Sequence, residues 1–192
     1  MEATEVRRAV TAAMQTAAEL GLAVDDATVL SDSNRLVIHL LPCDTVARVT
    51  PTNHFASAEQ EVELVRRLAR TDSPVAPLEP RVEPRVFVRD GFKIALWTHF
   101  EPVHSRVLTP AAYAQALALL HAGLRRIEVP TPHVMDRVAA TQRDAANREV
   151  TPDLTDTDRV LLADTLHDLG RSIGARRDSD QLLHGEPHRS TS

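Results

Sequence analysis

The sequence predicts an α+β fold: an antiparallel sheet of five strands with one inserted helix over residues 1-100, then helices over residues 101-192. Three observations carry this. Apolar side chains recur at three- and four-residue spacing up to Leu20, after which the pattern shortens to short β-branched runs. Two turn-forming separators and an Asp-Gly pair cut those runs into antiparallel neighbours. From Thr109 onward the helical period returns.

Glu5 to Leu20 reads as a helix, with Val6, Val10, Ala13, Ala17 and Leu20 at helical spacing and Gly21 as its stop. Thr28-Val29-Leu30, Arg35 to Leu41 and Thr45 to Val49 read as three strands of a meander. Ser31-Asp32-Ser33-Asn34 and Pro42-Cys43-Asp44 are the turns between them. Ser57 with Gln60 has the form of a capping box, opening a helix to about Arg70 whose buried side is Val62, Val65 and Leu68. Thr71 to Pro84 is proline-rich and reads as a loop. Val86 to Arg89 and Phe92 to Thr98 then form a hairpin across Asp90-Gly91. Thr109-Pro110 caps the next helix, with Tyr113, Ala116, Leu117, Leu120 and Leu124 as its apolar stripe and an end near Gly123. A more polar helix covers about His133 to Asn147. Thr155 with Asp158 opens a last one, with Leu162, Leu166, Leu169 and Ile173 on one face.

Composition narrows the function. The hydrophobic share of 43% suffices for a core, and with aromatics at 3% that core is built of Leu, Val and Ala. A formal net charge of -5 argues against nucleic acid or an anionic membrane as the main partner. No apolar run approaches the roughly 18 residues of a membrane span, and the start has no basic region followed by an apolar one, so a cytoplasmic location is expected. The single cysteine, Cys43, can make neither an internal disulfide nor a cysteine-based zinc site.

Chemistry-bearing residues concentrate in Leu182-Leu183-His184-Gly185-Glu186-Pro187-His188, an apolar run into a turn that holds a carboxylate between two imidazoles. Gly185 and Pro187 oppose a regular helix, which speaks against zinc held by His184 and His188. The stretch resembles the catalytic loop of the aminoglycoside phosphotransferase family, relatives of protein kinases, which carries His-Gly-Asp-x-His-x-x-Asn there. Glu186 stands at the Asp position and Thr191 at the Asn position.

The resemblance runs from about Val29 to His188 and implies a protein-kinase-like two-lobe fold. The N-lobe would be residues 1-100, and residues 101-192 an incomplete helical C-lobe ending at the catalytic loop. It implies ATP and Mg2+ as cofactors, a nucleotide held between lobes, and transfer of its γ-phosphoryl to the hydroxyl of a small molecule. Glu186 would be the catalytic carboxylate. Arg48, in Val46-Ala47-Arg48-Val49, would clamp phosphates, and Glu61 would fix Arg48, with Glu59 and Glu63 as competitors for that place. Ser33 and Asn34 stand at the position of the phosphate-covering loop. Thr98 and Phe100, within Leu96 to Pro102, stand in the linker that meets adenine. The family's magnesium-binding Asp follows the catalytic loop, and this chain stops at Ser192, so impaired transfer is expected. A non-catalytic nucleotide-binding remnant and a ligand-free helical interaction module are the alternatives. The face from Leu162 to Ile173, without its usual cover, would favour self-association.

Overall fold

The computed structural model describes residues 1–33, 35–52, 58–101, 109–131, 133–175 and 181–182. Among them lie α1 (Ala3–Glu19), β1 (Val24–Asp32), β2 (Leu36–Pro42), β3 (Thr45–Pro51), α2 (Ala58–Leu68), β4 (Phe87–Arg89), β5 (Phe92–Thr98), α3 (Pro110–Leu124), α4 (Val134–Ala146) and α5 (Asp156–Gly174). The strands make one antiparallel sheet in the order β1-β2-β3-β5-β4. Two compact units divide the chain. Met1–Val129 holds the sheet with α1, α2 and α3, and Pro130–Leu182 holds α4 and α5.

Strand alternation gives the sheet two apolar faces. Leu36, Ile38 and Leu40 of β2, Ala47 and Val49 of β3, and Phe92, Ile94 and Leu96 of β5 point to one side, where α1 buries them. The side chains that α1 buries are Ala9, Ala12, Ala13, Thr16 and Ala17, while Val6, Val10 and Leu20 are only partly buried. The sequence stripe thus names the flank of the contact as much as its centre, because the smallest side chains let the helix lie close to the sheet. On the opposite side, Val62 and Val65 of α2 pack with Ala95 and Trp97 of β5 and with Val46 of β3. With Leu68, these are the α2 residues expected to be buried.

Two stretches differ from the sequence reading. β1 runs over nine residues rather than three. It is an edge strand, mostly exposed, and the ladder to β2 rather than its own composition extends it through Asp25 and Asp26. Part of the expected loop 71–84 also pairs with the sheet. Leu78 bridges to Trp97, Glu79 N–H donates to Leu96 O at 3.0 Å, and Thr98 N–H donates to Pro77 O at 3.1 Å. This piece occupies the edge of β5 that the three-residue β4 leaves open. A bridge so short, between prolines, has no period to read.

Glu79 anchors that edge. Its carboxylate is 2% exposed and accepts from Arg81 Nε at 2.6 Å, Arg81 N at 3.1 Å, Arg81 Nη2 at 2.8 Å and Thr45 Oγ1 at 3.0 Å. Arg81 Nη2 also donates to Cys43 O at 2.8 Å, so one buried charge ties the edge segment to the β2–β3 turn. Hydrogen bonding from Arg81 holds the Glu79 carboxyl below its ordinary value, against the opposing effect of burial.

Across the other hairpin, Asp90 and Gly91 take φ of 49° and 85°, the positive pair that a two-residue turn needs. In α3, Thr109 caps from Ala112 N at 3.2 Å with Pro110 at the first turn. A side chain at Gly123 would collide with Ser73 Oγ, so glycine lets α3 lie against the turn that ends α2.

In the second unit, His133 and Asp136 form a capping box at α4, and Thr155 caps α5. Arg159 of α5 donates to Ala145 O and to Thr151, satisfying the end of α4. Leu162, Leu166 and Ile173 are half-buried, Leu169 is exposed, and no residue of α5 is fully buried. Among the described residues, no helix is long and apolar enough to cross a membrane.

Candidate functional site

The face of the sheet shared with α2 carries the polar chemistry. Register places Val37 opposite Arg48 and Arg48 opposite Ala95, so Arg48 rises from the middle of the sheet. Arg48 Nη1 donates to Glu61 Oε1 of α2 at 2.5 Å. Its guanidinium also lies over Trp97, with Cζ 4.2 Å from the ring centroid, as diagonal positions on neighbouring strands allow. Arg35, just before β2, donates to Glu61 Oε2. One carboxylate therefore serves two guanidinium groups, and the trio carries a formal excess of one positive charge.

The three acidic residues of the first turns of α2 separate by partner. Glu61 takes Arg48 and Arg35, Glu59 takes Lys93 at 3.0 Å, and Glu63 takes Arg66 and Arg67 at 2.9 and 2.6 Å. The resemblance left Glu59 and Glu63 open as rivals; the sheet gives Glu61 and Glu59 their cations, and Glu63 finds its own within α2. Arg35 was not singled out, because a cation at the start of a strand reads as turn-flanking surface.

A cleft of about 350 Å³ opens beside this cluster. Val37, His39, Val46, Arg48 and Trp97 line it from the sheet, and Thr98 and Phe100 from the end of β5. Of the expected nucleotide contacts, Arg48, Thr98 and Phe100 thus share one cavity, and Glu61 reaches it through Arg48. Thr98 N–H is already donated to Pro77 O, and Thr98 Oγ1 donates to Leu78 O at 3.4 Å. Ser33 lies in the β1–β2 turn, exposed, its N–H donated to Arg35 O at 3.3 Å, and is not among the residues lining the cleft. Asn34, Ser57, His184, Glu186, His188 and Thr191 lie outside the described residues.

The cleft also brings together groups that sequence reasoning missed. His39 Nε2 donates to Asp44 Oδ1 at 2.7 Å, and His99 Nδ1 meets the same oxygen at 2.8 Å. The two rings stack, with centroids 3.8 Å apart and planes 18° apart. His99 is nearly buried and Asp44 exposed. Hydrogen bonding from His39 lowers the Asp44 carboxyl below its ordinary value, against an opposing desolvation effect and with His99 adding to the lowering. Asp44 sits in the β2–β3 turn with φ of 55°, a left-handed conformation that Asp and Asn tolerate better than most residues. Sixty residues separate His39 from His99, and only the β2–β3–β5 ladder brings them together. A lone histidine within an alternating strand gives no such signal.

No protein-family model matches the chain, and the search of curated proteins returned no match either.

Proposed function

We propose that the chain is a nucleotide-binding protein of the aminoglycoside-phosphotransferase and protein-kinase-like type, acting in phosphoryl transfer from ATP to a small-molecule hydroxyl. One observation carries the reading: Arg48, braced by Glu61 and laid on Trp97, stands in the wall of a cleft that Thr98 and Phe100 also line. A guanidinium held by a carboxylate is pre-oriented, so little freedom is lost when it meets phosphate oxygens. With Arg35 beside it, the excess positive charge favours a polyanion. The base would lie along the Thr98–Phe100 segment. Thr98 would contribute its side chain and carbonyl, since its N–H is already taken.

Magnesium, when bound, would neutralise charge on the phosphates. It asks for oxygen ligands, and among the described residues lining the cleft only Glu101 offers a carboxylate. Those residues do not make a magnesium cage, and no catalytic step is assigned to the ion. The second reading, nucleotide binding without turnover, is favoured by Glu186 and Thr191 standing where the resembled family has Asp and Asn. A reacting carboxylate displaced by about 1 Å can lose on the order of 100-fold in rate.

Trp97 is the single tryptophan of the chain and lines the cleft, so its fluorescence reports occupancy directly. Titration with ATP and ADP, with and without magnesium, is expected to saturate. Arg48→Met is expected to weaken binding roughly ten- to hundredfold, the worth of a charge-assisted hydrogen bond or two. Absence of any nucleotide binding at millimolar concentration, or an unchanged affinity in Arg48→Met, refutes the reading. Turnover of bound ATP with a hydroxyl acceptor separates the transferase from the non-catalytic form.

A further inference from the structure

We propose that His39, Asp44 and His99 form a binding site for a divalent transition-metal ion of the zinc, cobalt or nickel kind, at the end of the cleft where β5 leaves the sheet. The donor set points to this class. Two imidazole nitrogens and a carboxylate oxygen, one from each residue, lie within 4.8 Å of one another. Imidazole suits zinc, copper, iron and nickel, whereas magnesium and calcium prefer all-oxygen surroundings. His39 Nε2 and His99 Nδ1 already converge on one point, the Asp44 Oδ1 atom, at 2.7 and 2.8 Å. Zinc–nitrogen and zinc–oxygen bonds of about 2.0–2.2 Å need only a modest contraction around such a point.

The cluster divides into a fixed part and a movable one. His99 is 8% exposed and held at the end of β5, whereas Asp44 is 64% exposed on a two-residue turn. Ion entry swings the Asp44 carboxylate outward, and His39 opens from the stack so that both ring lone pairs face the ion. At each ring nitrogen a lone pair then replaces the N–H that now donates to Asp44, as each neutral imidazole shifts its proton to the other ring nitrogen, Nδ1 of His39 and Nε2 of His99. Three protein ligands leave at least one position for water or a ligand from the cleft, which His39 and His99 both line. The site shares the cleft with the proposed nucleotide, but its three ligands are not members of the Arg48 cluster, so metal uptake is testable with no nucleotide present.

The test is calorimetric titration of the untagged full chain with Zn2+, paired with visible absorption of the Co2+ form, in the absence of nucleotide. A single saturable site with Co2+ d–d bands of four- or five-coordinate intensity is expected. Magnesium should not displace the ion. Asp44→Asn suits the left-handed turn and removes only the anionic ligand, and His39→Gln replaces a half-buried ring, so both keep the fold testable by Trp97 fluorescence. Loss of an outer-shell partner alone costs about 10–100-fold in metal affinity, and loss of a direct ligand is expected to cost at least as much. With nine histidines in the chain, equal uptake by wild type, Asp44→Asn and His39→Gln would place the ion elsewhere and overturn the proposal. Absence of Zn2+ uptake by the wild type at millimolar ion overturns it as well. Both outcomes are read without nucleotide, so the nucleotide titration with magnesium stands or falls by its own result.

Discussion

Glu79→Gln is expected to be the most destabilising conservative change in the sheet unit, and its cost follows from the contacts. The carboxylate is 2% exposed and accepts four hydrogen bonds, three of them from Arg81. Removing one partner of a fully buried ion pair costs about 3–5 kcal/mol. Arg81 is 51% exposed, so its guanidinium recovers water once the carboxylate is gone, and the expected cost falls to about 2–3 kcal/mol. For a chain of this size that is a fall in Tm of about 4–12 °C. Urea unfolding followed by Trp97 fluorescence is the assay, since Leu78 beside Glu79 bridges directly to Trp97.

The same residue predicts a pH dependence. The folded carboxyl titrates below its ordinary value, so the unfolded chain takes up its proton first as pH falls. The stabilisation is complete above the unfolded value of about 4.3 and disappears as pH drops through the folded value. Glu79→Gln should therefore show a shallower acid limb than wild type. A variant within about 0.5 kcal/mol of wild type at neutral pH, or one with the same acid slope, would refute the account.

Other substitutions test the packing. Gly123→Ala adds a methyl that meets Ser73 Oγ, with Thr71 Oγ1 at 2.9 Å. Overpacking of about 1–3 kcal/mol outweighs the roughly 1 kcal/mol that alanine adds to a helix, so thermal unfolding should show a net loss. Gly91→Ala meets no steric neighbour but must hold φ of 85°, at about 1–2 kcal/mol, and a stability equal to wild type would contradict the turn geometry. Arg48→Met should weaken nucleotide binding while Zn2+ uptake measured without nucleotide stays saturable, and Asp44→Asn should weaken that Zn2+ uptake, both read by calorimetric titration.

Much of the fold was legible in the chain because its signals are local. Asp90-Gly91 announces its hairpin through the backbone freedom of two residues, and Thr109-Pro110 announces α3 through a cap. Val62, Val65 and Leu68 declare their burial by helical spacing. The sequence reading failed where pairing was imposed from outside. β1 gains its length from β2, and the Pro77–Glu79 segment gains its place from an edge of β5 left vacant by a short β4.

The site divides in the same way. The family resemblance, read along the strand–helix order, singled out Arg48 with Glu61, and Thr98 with Phe100. That Glu61 meets Arg48 and Glu59 meets Lys93 depended on how α2 lies on the sheet, whereas Glu63 pairs with Arg66 and Arg67 of its own helix. Arg35, His39, Asp44 and His99 carry no mark in one dimension. By itself, the sequence determined the elements, because propensity, capping and periodicity act over a few neighbouring residues. Only the tertiary structure decided that two histidines sixty positions apart stack on one turn carboxylate, and that one glutamate holds two arginines. Strand register is a long-range property, and a shift of one residue in β2 or β3 would have sent His39 or Arg48 to the other face.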